Sequence, residues 1–279
     1  MSTHSKIFPA WALFSLAANG LLALAIASLL WHESQGSVYP PVSNLTMTTH
    51  VTNPKSTPAP QLGERLQLNY QQWVALLKQE AEVVATKQPE HLAILIGDSL
   101  SLWFPPEQLP SEKNWLNQGI SGETSAGLLN RLDLLDETQP EVIFVMIGIN
   151  DLIRGVRSET VLANQQMMIR YLQRVHPQAK IVIQSVLPHS ADKATWEGRD
   201  RLLALPNSRI RELNKQLKAI AKADGVIYLD LYSLFADNDG NLKTELSTDG
   251  LHLSTQGYLV WSNALRVFNQ LVLEPQASS

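Results

Sequence analysis

Four short segments carry the side chains that could do chemistry in this chain. The first is Gly97-Asp98-Ser99-Leu100, and the second runs over residues 117–124 as Asn-Gln-Gly-Ile-Ser-Gly-Glu-Thr. The third is Gly148-Ile149-Asn150-Asp151, and the fourth is Asp249-Gly250-Leu251-His252. A serine hydroxyl becomes a nucleophile when a base takes its proton, a third group orients the base, and hydrogen-bond donors stabilise the oxyanion. These segments contain all of the residue types that such chemistry needs.

The spacing within the segments has physical consequences. An aspartate three residues before a histidine, as in Asp249 and His252, can fold back to the ring Nδ1–H and leave Nε2 free as a base. Glycines let backbone N–H groups approach a ligand, and the Asn150 side chain offers a neutral N–H donor. Each feature alone has a structural alternative: Ser99 could be a helix N-cap, the Asn-Asp and Asp-Gly pairs could form turns, and the glycines could serve packing. We favour a catalytic role over these structural roles because the four segments occur together.

The elements around these segments alternate between helix and strand from about Gly63 onward. Continuous apolar runs predict buried strands at residues 92–96 and 142–147, and further strands are predicted at residues 115–117, 181–185 and 226–230. Apolar residues at helical spacing predict helices at residues 70–86 and 124–135. A third helix is expected to be capped by Ser158 and to end at His176-Pro177, and a fourth, from about Ile210 to Ile220, is expected to end at Gly225. The last helix is expected to be capped by Ser254 and to have an apolar stripe of Trp261, Leu265, Phe268 and Val272.

This alternation predicts an α/β protein with a three-layer α/β/α sandwich around a central parallel sheet. We find no internal repeat and no second globular domain. Three of the four chemical segments come at or after a predicted strand, and the fourth comes directly before the last helix. Open α/β sheets bind their ligands outside the carboxyl ends of the strands, so the segments are expected to meet there.

The N-terminal part predicts a membrane attachment. Residues 7–31 contain no charged side chain, and 25 helical residues reach about 37 Å, which exceeds a hydrocarbon core of about 30 Å. We therefore predict a signal-anchor helix over residues 1–32, with the following domain outside the cytoplasm because Lys6 precedes the apolar segment. The alternative is a signal peptide cleaved near Ala25-Ile26-Ala27 and a secreted protein. Residues 33–62 are rich in Pro, Ser and Thr and predict a disordered linker.

Composition narrows the remaining possibilities. The 279-residue chain carries a net charge of −4, so no basic field indicates nucleic-acid binding. It contains no cysteine, which excludes disulfides, a cysteine nucleophile and cysteine-based zinc sites. Asp98 and Asp151 could hold Mg²⁺ in a phosphotransferase of similar topology, but no second Asp lies two residues after Asp98 and no P-loop motif is present. The Gly-x-Ser-x-Gly elbow of α/β-hydrolases is also absent.

The four segments resemble, in order, the signature blocks of the SGNH hydrolases, also called the GDSL esterase/lipase family, and the resemblance extends over residues 90–273. The family takes its name from residue types that are here Ser99, Gly122, Asn150 and His252. The spacing is also similar to that of the acetylhydrolase-like branch, which has features corresponding to His176-Pro177, Leu187-Pro188, His252-Leu253 and Gly257-Tyr258. One departure is Glu123, where the family usually has Asp, and this difference keeps the charge.

The resemblance implies a flavodoxin-like SGNH fold over residues 63–274, followed by a short tail over residues 275–279. It implies that Ser99 is the nucleophile, His252 the base and Asp249 the group that orients His252. It also implies an oxyanion hole made by the backbone N–H groups of Ser99 and Gly122 and the side-chain amide of Asn150. The reaction would be carboxylic ester hydrolysis through an acyl-enzyme, with no metal and no cofactor, on a small-molecule, lipid or glycan ester.

Two other functions and two other side chains stay in consideration. The same residues could transfer acyl groups onto a cell-surface glycan, and the domain could instead be a non-catalytic binding module. His189, after the strand at residues 181–185, is the only other histidine expected near a strand end. The Trp103-Phe104-Pro105 run and the loop over residues 190–206 could line a substrate pocket, although we favour a packed aromatic corner for Trp103-Phe104-Pro105.

Overall fold

Five parallel strands form the central sheet of the computed structural model, which describes residues 68–273. The strands are β1 (Leu92–Gly97), β2 (Asn114–Gly119), β3 (Val142–Met146), β4 (Lys180–Gln184) and β5 (Ile227–Leu229), and their order is β2-β1-β3-β4-β5. Every residue of β1 and β3 is buried, as their continuous apolar sequences predict for strands covered on both faces. This order places a topological switch point between β1 and β3, where the carboxyl ends of the strands open a crevice.

Helices cover both faces of the sheet and complete the predicted three-layer sandwich. The helices are α1 (Tyr70–Lys87), α2 (Ser99–Leu102), α3 (Ser125–Leu129), α4 (Ile149–Ile153), α5 (Ser158–Val175), α6 (Arg199–Leu203), α7 (Asn207–Ala223), α8 (Tyr232–Phe235) and α9 (Thr255–Phe268). Because side chains alternate along a strand, Ala93 and Leu95 of β1 join the apolar cluster that contains Trp261 of α9. Ile94 and Ile96 point to the opposite face, where they join the cluster that contains Met168 of α5.

Three local predictions are wrong. The helix predicted at residues 124–135 is broken into α3 and a 3₁₀ turn at Leu132–Leu135. Ser158 is the first residue of α5 and not its cap, because Arg157 occupies the N-cap position without a side-chain capping bond. The last helix ends at Phe268, so the half-exposed Val272 lies in a π-helical turn and not on the apolar stripe. By contrast, Ser254 caps α9 as predicted, accepting from the backbone N–H of Gly257 at 3.2 Å.

The predicted signal-anchor helix (residues 1–32), the linker (residues 33–62) and the tail (residues 275–279) lie outside the described residues. Within residues 68–273, no helix combines the length and the apolar character that crossing a bilayer requires.

Candidate active site

Ser99 begins α2, two residues after the end of β1. Asp98 takes the N-cap position of α2, and its carboxylate accepts a hydrogen bond from the backbone N–H of Leu100 at 3.0 Å. Ser99 is therefore the first residue of the helix and not its cap, so its hydroxyl is not used for capping. Its own N–H belongs to the first turn, where a helix leaves backbone donors without partners inside the helix. Both donor groups of Ser99 are thus held at the crevice end of the sheet.

His252 and Asp249 meet Ser99 from a segment 150 residues further along the chain. The Nε2 atom of His252 lies 3.2 Å from the Oγ atom of Ser99, and the Nδ1 atom of His252 lies 2.7 Å from the Oδ2 atom of Asp249. The other carboxylate oxygen of Asp249 accepts from the backbone N–H groups of Leu251 and His252, at 2.9 and 2.8 Å. The spacing of three residues therefore closes the predicted contact between the carboxylate and the ring.

The electrostatics of this contact assign the tautomer of the ring. Partial burial raises the pKa of Asp249, but the hydrogen bonds from the backbone and the ring of His252 outweigh burial, so that the pKa of Asp249 is lowered. A charged carboxylate accepts the Nδ1–H of His252. Nε2 is then left with its lone pair facing the hydroxyl of Ser99, which is the arrangement in which a histidine can remove a serine proton.

The loop over residues 190–206 is hydrogen-bonded to the backbone of Asp249. The backbone N–H groups of Thr195 and Trp196 both donate to the carbonyl of Asp249, at 2.8 and 2.9 Å. Gly250 has a φ of +90°, and a Cβ atom there would lie 2.5 Å from the Cα atom of Ala194. This position therefore requires glycine both for its backbone conformation and for the close approach of the loop.

Gly122 and Asn150 present donors that the protein itself does not use. Gly122 has a φ of +73°, in the left-handed region that favours glycine, and its N–H donates to no acceptor within residues 68–273. The side-chain nitrogen of Asn150 is buried and has no hydrogen-bond partner in this part of the chain. A buried donor without a partner costs free energy, and such a donor is common where a ligand supplies the acceptor.

Hydrogen bonds tie these two segments together. Ser125 of α3 donates its hydroxyl to one oxygen of the buried Asp151 carboxylate at 2.6 Å and its backbone N–H to the other oxygen at 2.8 Å. The Nη2 atom of Arg154, just past α4, donates to the carbonyl of Gly122 at 2.8 Å. The segment that carries Gly122 is thus joined twice to the helix that carries Asn150.

Buried carboxylates lie immediately beside the three predicted donor residues. Asp98 precedes Ser99, Glu123 follows Gly122 and Asp151 follows Asn150. Burial raises the pKa of Asp98 to about 7, and the charges of Asp151 and Glu123 add to this rise. Burial also raises the pKa of Glu123, although its carboxylate accepts a 2.7 Å hydrogen bond from the Nε atom of Arg131. The side chains of Asp98 and Asp151, considered above as Mg²⁺ ligands, are both bonded to protein donors.

Two further expectations are resolved by the structure. His189 is buried, with its Nε2 atom 2.6 Å from the carbonyl of Leu205 and its Nδ1 atom accepting from the N–H of Ala191, so both ring nitrogens serve the loop. Phe104 forms the predicted packed corner by stacking on Trp261 at 4.9 Å. Trp103 does not, because its side chain is 48% exposed and its ring centroid lies 4.4 Å from that of His252.

Reasoning from the sequence offers Trp103 only as the less favoured pocket residue and misses Arg154. The fold places the Trp103 ring against the ring of His252. Arg154 belongs to none of the four segments. Its position four residues after Asn150 was a usable signal, since residues with this spacing share one face of a helix.

Comparisons with known proteins identify the family of this chain. The model of the GDSL-like Lipase/Acylhydrolase family matches residues 95–260, which is more than half of the chain. The chain therefore belongs to the GDSL-like lipase/acylhydrolase family, the SGNH hydrolases, and is a hydrolase acting on esters.

Individual relatives and solved structures are similar to most of the chain. Platelet-activating factor acetylhydrolase IB subunit alpha1 of Rattus norvegicus is 27% identical over 207 residues, which cover 69% of this chain and 80% of the relative. A solved structure of a platelet activating factor protein from Streptococcus pneumonia is 28% identical, covers 72% of this chain and 97% of its own, and has a TM-score of 0.60. A GDSL-like lipase from Bacteroides thetaiotaomicron shares the fold, with a TM-score of 0.57, 21% identity, and coverage of 70% of this chain and 97% of its own.

Proposed function

We propose that this protein is a serine esterase in which Ser99, His252 and Asp249 form the catalytic triad. The observation that carries the proposal is the chain of two contacts from Ser99 to His252 at 3.2 Å and from His252 to Asp249 at 2.7 Å. These side chains are brought together by the fold across 153 residues of sequence. A serine used only for local structure has no need of a histidine that is itself held by a carboxylate.

The proposed reaction has two steps. Ser99 Oγ attacks the ester carbonyl as His252 Nε2 takes the hydroxyl proton, and the resulting oxyanion accepts hydrogen bonds from the N–H groups of Ser99 and Gly122 and from Asn150 Nδ2. Collapse of this intermediate breaks the ester C–O bond, and His252 gives its proton to the departing alcohol. Water then attacks the acyl-enzyme with His252 again as base, which releases the acid and restores Ser99.

We further propose that the substrate is an ester with a short acyl chain. The support is the similarity to proteins described as acetylhydrolases, at 27–28% identity. A series of p-nitrophenyl esters from acetate to palmitate, assayed with the full chain, tests this proposal. Greatest kcat/KM for acetate or butyrate is the expected result, and a maximum at palmitate would contradict it.

The triad assignment is tested with substitutions in the full chain. Ser99→Ala and His252→Ala should each abolish ester hydrolysis, and Ser99→Ala should abolish labelling by a fluorophosphonate. The matched control is Ser101→Ala, which removes another buried hydroxyl from the same helix. Equal labelling of the wild-type and Ser99→Ala proteins would refute the assignment. A folded wild-type protein with neither hydrolysis nor labelling would favour the binding-module alternative.

The N-terminal segment supports a proposal about location. Anchored by residues 7–31, the catalytic domain would lie outside the cytoplasm and reach its substrates across the linker over residues 33–62. Retention of the full-length chain in membranes after alkaline extraction is expected, whereas a shortened, soluble product would show signal cleavage. Adding a glycan acceptor to the same preparation tests the acyltransferase alternative, because a transferase would form more glycan ester than free acid.

A further inference from the structure

Arg154 places a cation beside the proposed oxyanion hole. It follows Asn150 by four residues, and its backbone N–H donates to the carbonyl of Asn150 at 3.1 Å, which closes the turn that carries both residues. Its Nη2 atom donates to the carbonyl of Gly122 at 2.8 Å. The Nη2 atom of Arg154 also lies 3.4 Å from the position that a Cβ atom of Gly122 would occupy. Arg154 therefore lies between the two segments that supply the Gly122 and Asn150 donors.

The positive charge of Arg154 is not neutralised by the described part of the chain. Arg154 is exposed, and no acidic side chain within residues 68–273 forms an ion pair with it. Asp151, the nearest carboxylate in sequence, is buried and accepts its hydrogen bonds from Ser125. A guanidinium has five N–H donors, so the side-chain bond to Gly122 found within residues 68–273 leaves further donors of this exposed group for a ligand.

We propose that Arg154 binds an anionic group of the substrate, a carboxylate or a phosphate attached to the ester. The inference rests on the esterase function proposed above, and it adds the chemical class of substrate. A planar guanidinium recognises carboxylate and phosphate oxygens through paired N–H donors, which neutral esters cannot exploit. The alternative role for Arg154 is to brace the Gly122 loop alone, and bracing would affect neutral and anionic esters equally.

The test compares matched esters with the full chain in a non-ionic detergent. One pair is p-nitrophenyl butyrate and the p-nitrophenyl monoester of glutaric acid, which places the charge on the acyl group. The other pair is phenyl acetate and para-carboxyphenyl acetate, which places the charge on the alcohol. In at least one pair, Arg154→Gln should lower the ratio of anionic to neutral kcat/KM by about five- to tenfold, and Arg154→Lys should retain part of it. The pair that responds identifies which side of the ester carries the charge.

The matched control is Arg157→Gln. This substitution removes the same charge from an exposed arginine three residues away that makes no side-chain capping bond. The ratio should stay unchanged in this variant, and the effect of Arg154→Gln should shrink as salt is added, because exposed charges are screened.

Each outcome bears on one proposal. An equal loss for the anionic and neutral members of both pairs would show that Arg154 only braces the loop and would overturn anion binding. Hydrolysis of neutral esters by the wild-type protein, with no change of ratio in Arg154→Gln, would leave the esterase function standing and reject this inference. Titration calorimetry of the unreacted esters on Ser99→Ala gives a readout without turnover. Tighter binding of an anionic ester, lost in Ser99→Ala/Arg154→Gln, supports the proposal, and equal affinities contradict it.

Discussion

At the scale of single residues, Asp249 shows how one side chain sets the state of another. One of its oxygens is held by the backbone N–H groups of Leu251 and His252, and the other oxygen is left to accept the ring Nδ1–H. Because these bonds keep the pKa of Asp249 below its usual value, the carboxylate remains charged through the range in which histidines ordinarily titrate. A pH–rate profile with p-nitrophenyl acetate should therefore show no loss of activity from protonation of Asp249 until the pH falls below the usual pKa of an aspartate.

Replacing Asp249 separates orientation from proton transfer. Asp249→Ala should lower kcat by about 10³–10⁴-fold, a smaller loss than that of His252→Ala, because the base remains but its tautomer and orientation are no longer fixed. Steady-state kinetics with p-nitrophenyl acetate measure the loss, and Asp239→Ala, an exposed carboxylate away from the site, is the control. A kcat of Asp249→Ala within threefold of the wild-type value would contradict the orienting role.

The residue types and the i, i+3 spacing were enough to predict the Asp249–His252 contact. They could not predict Trp103 on the His252 ring or Arg154 on Gly122, because both contacts join segments that are distant in sequence. Contacts between residues that are close in sequence can be predicted from their spacing, whereas contacts between distant segments depend on how the loops pack.

At the scale of elements, hydrogen bonds between α3 and α4 fix the position of the Gly122 segment relative to the Asn150 segment. Ser125 binds both oxygens of Asp151, and Asn164 of α5 donates to the Ser125 hydroxyl at 2.9 Å. Three helices therefore share one buried hydroxyl. Each predicted strand is present. Burial on both faces explains the apolar sequences of β1 and β3, whereas every residue of β5 is only partly buried.

Helix boundaries were less predictable. The apolar stripe over residues 124–135 is real, but the chain turns at Arg131, whose side chain reaches Glu123 and the carbonyl of Gln118. The helix therefore ends beside a buried ion pair, which the apolar periodicity does not indicate. Serine is a common N-cap residue, which favoured Ser158 as the cap. In the structure the preceding residue, Arg157, has an extended conformation and takes the N-cap position.

Removing the shared hydroxyl tests the connection between these helices. Ser125→Ala should cost about 1–3 kcal/mol of stability, because Asp151 and Asn164 each lose a buried partner. It should lower kcat more than it raises KM, since the donors to the oxyanion lose their alignment. Urea unfolding and steady-state kinetics measure the two effects. Thr138→Val, which removes another buried hydroxyl bonded to the carbonyl of Leu135, is the control and should leave kcat unchanged. An unchanged kcat in Ser125→Ala would contradict the alignment role.

At the scale of the whole molecule, the parallel sheet concentrates buried acidic side chains beneath its crevice. The order β2-β1-β3-β4-β5 brings the carboxyl ends of β1 and β3 together, and Asp98 and Asp151 follow these strands. The sequence predicted the parallel sheet, but the closeness of these carboxylates depends on strand order. Folding must therefore bury Asp98 near the charges of Asp151 and Glu123, which raise its pKa.

This burial makes the stability of the protein depend on pH. Because the pKa of Asp98 rises from 3.8 to about 7 on folding, the folded state holds a proton that the unfolded state releases between these values. The contribution of Asp98 to stability is therefore lost as the pH rises from about 4 to about 7. Asp98→Asn removes this proton linkage, and the asparagine oxygen can still accept from the N–H of Leu100 and cap α2.

The free energy of unfolding of Asp98→Asn, relative to wild type, should therefore increase between pH 4 and pH 7 and level off above pH 7. The increase is limited to about 1.4 kcal/mol for each pH unit. Urea unfolding at a series of pH values gives the difference, and Asp133→Asn, at an exposed position, should show no such trend. A constant difference between the Asp98→Asn and wild-type proteins across this range would mean that the Asp98 carboxyl is not held protonated by the fold.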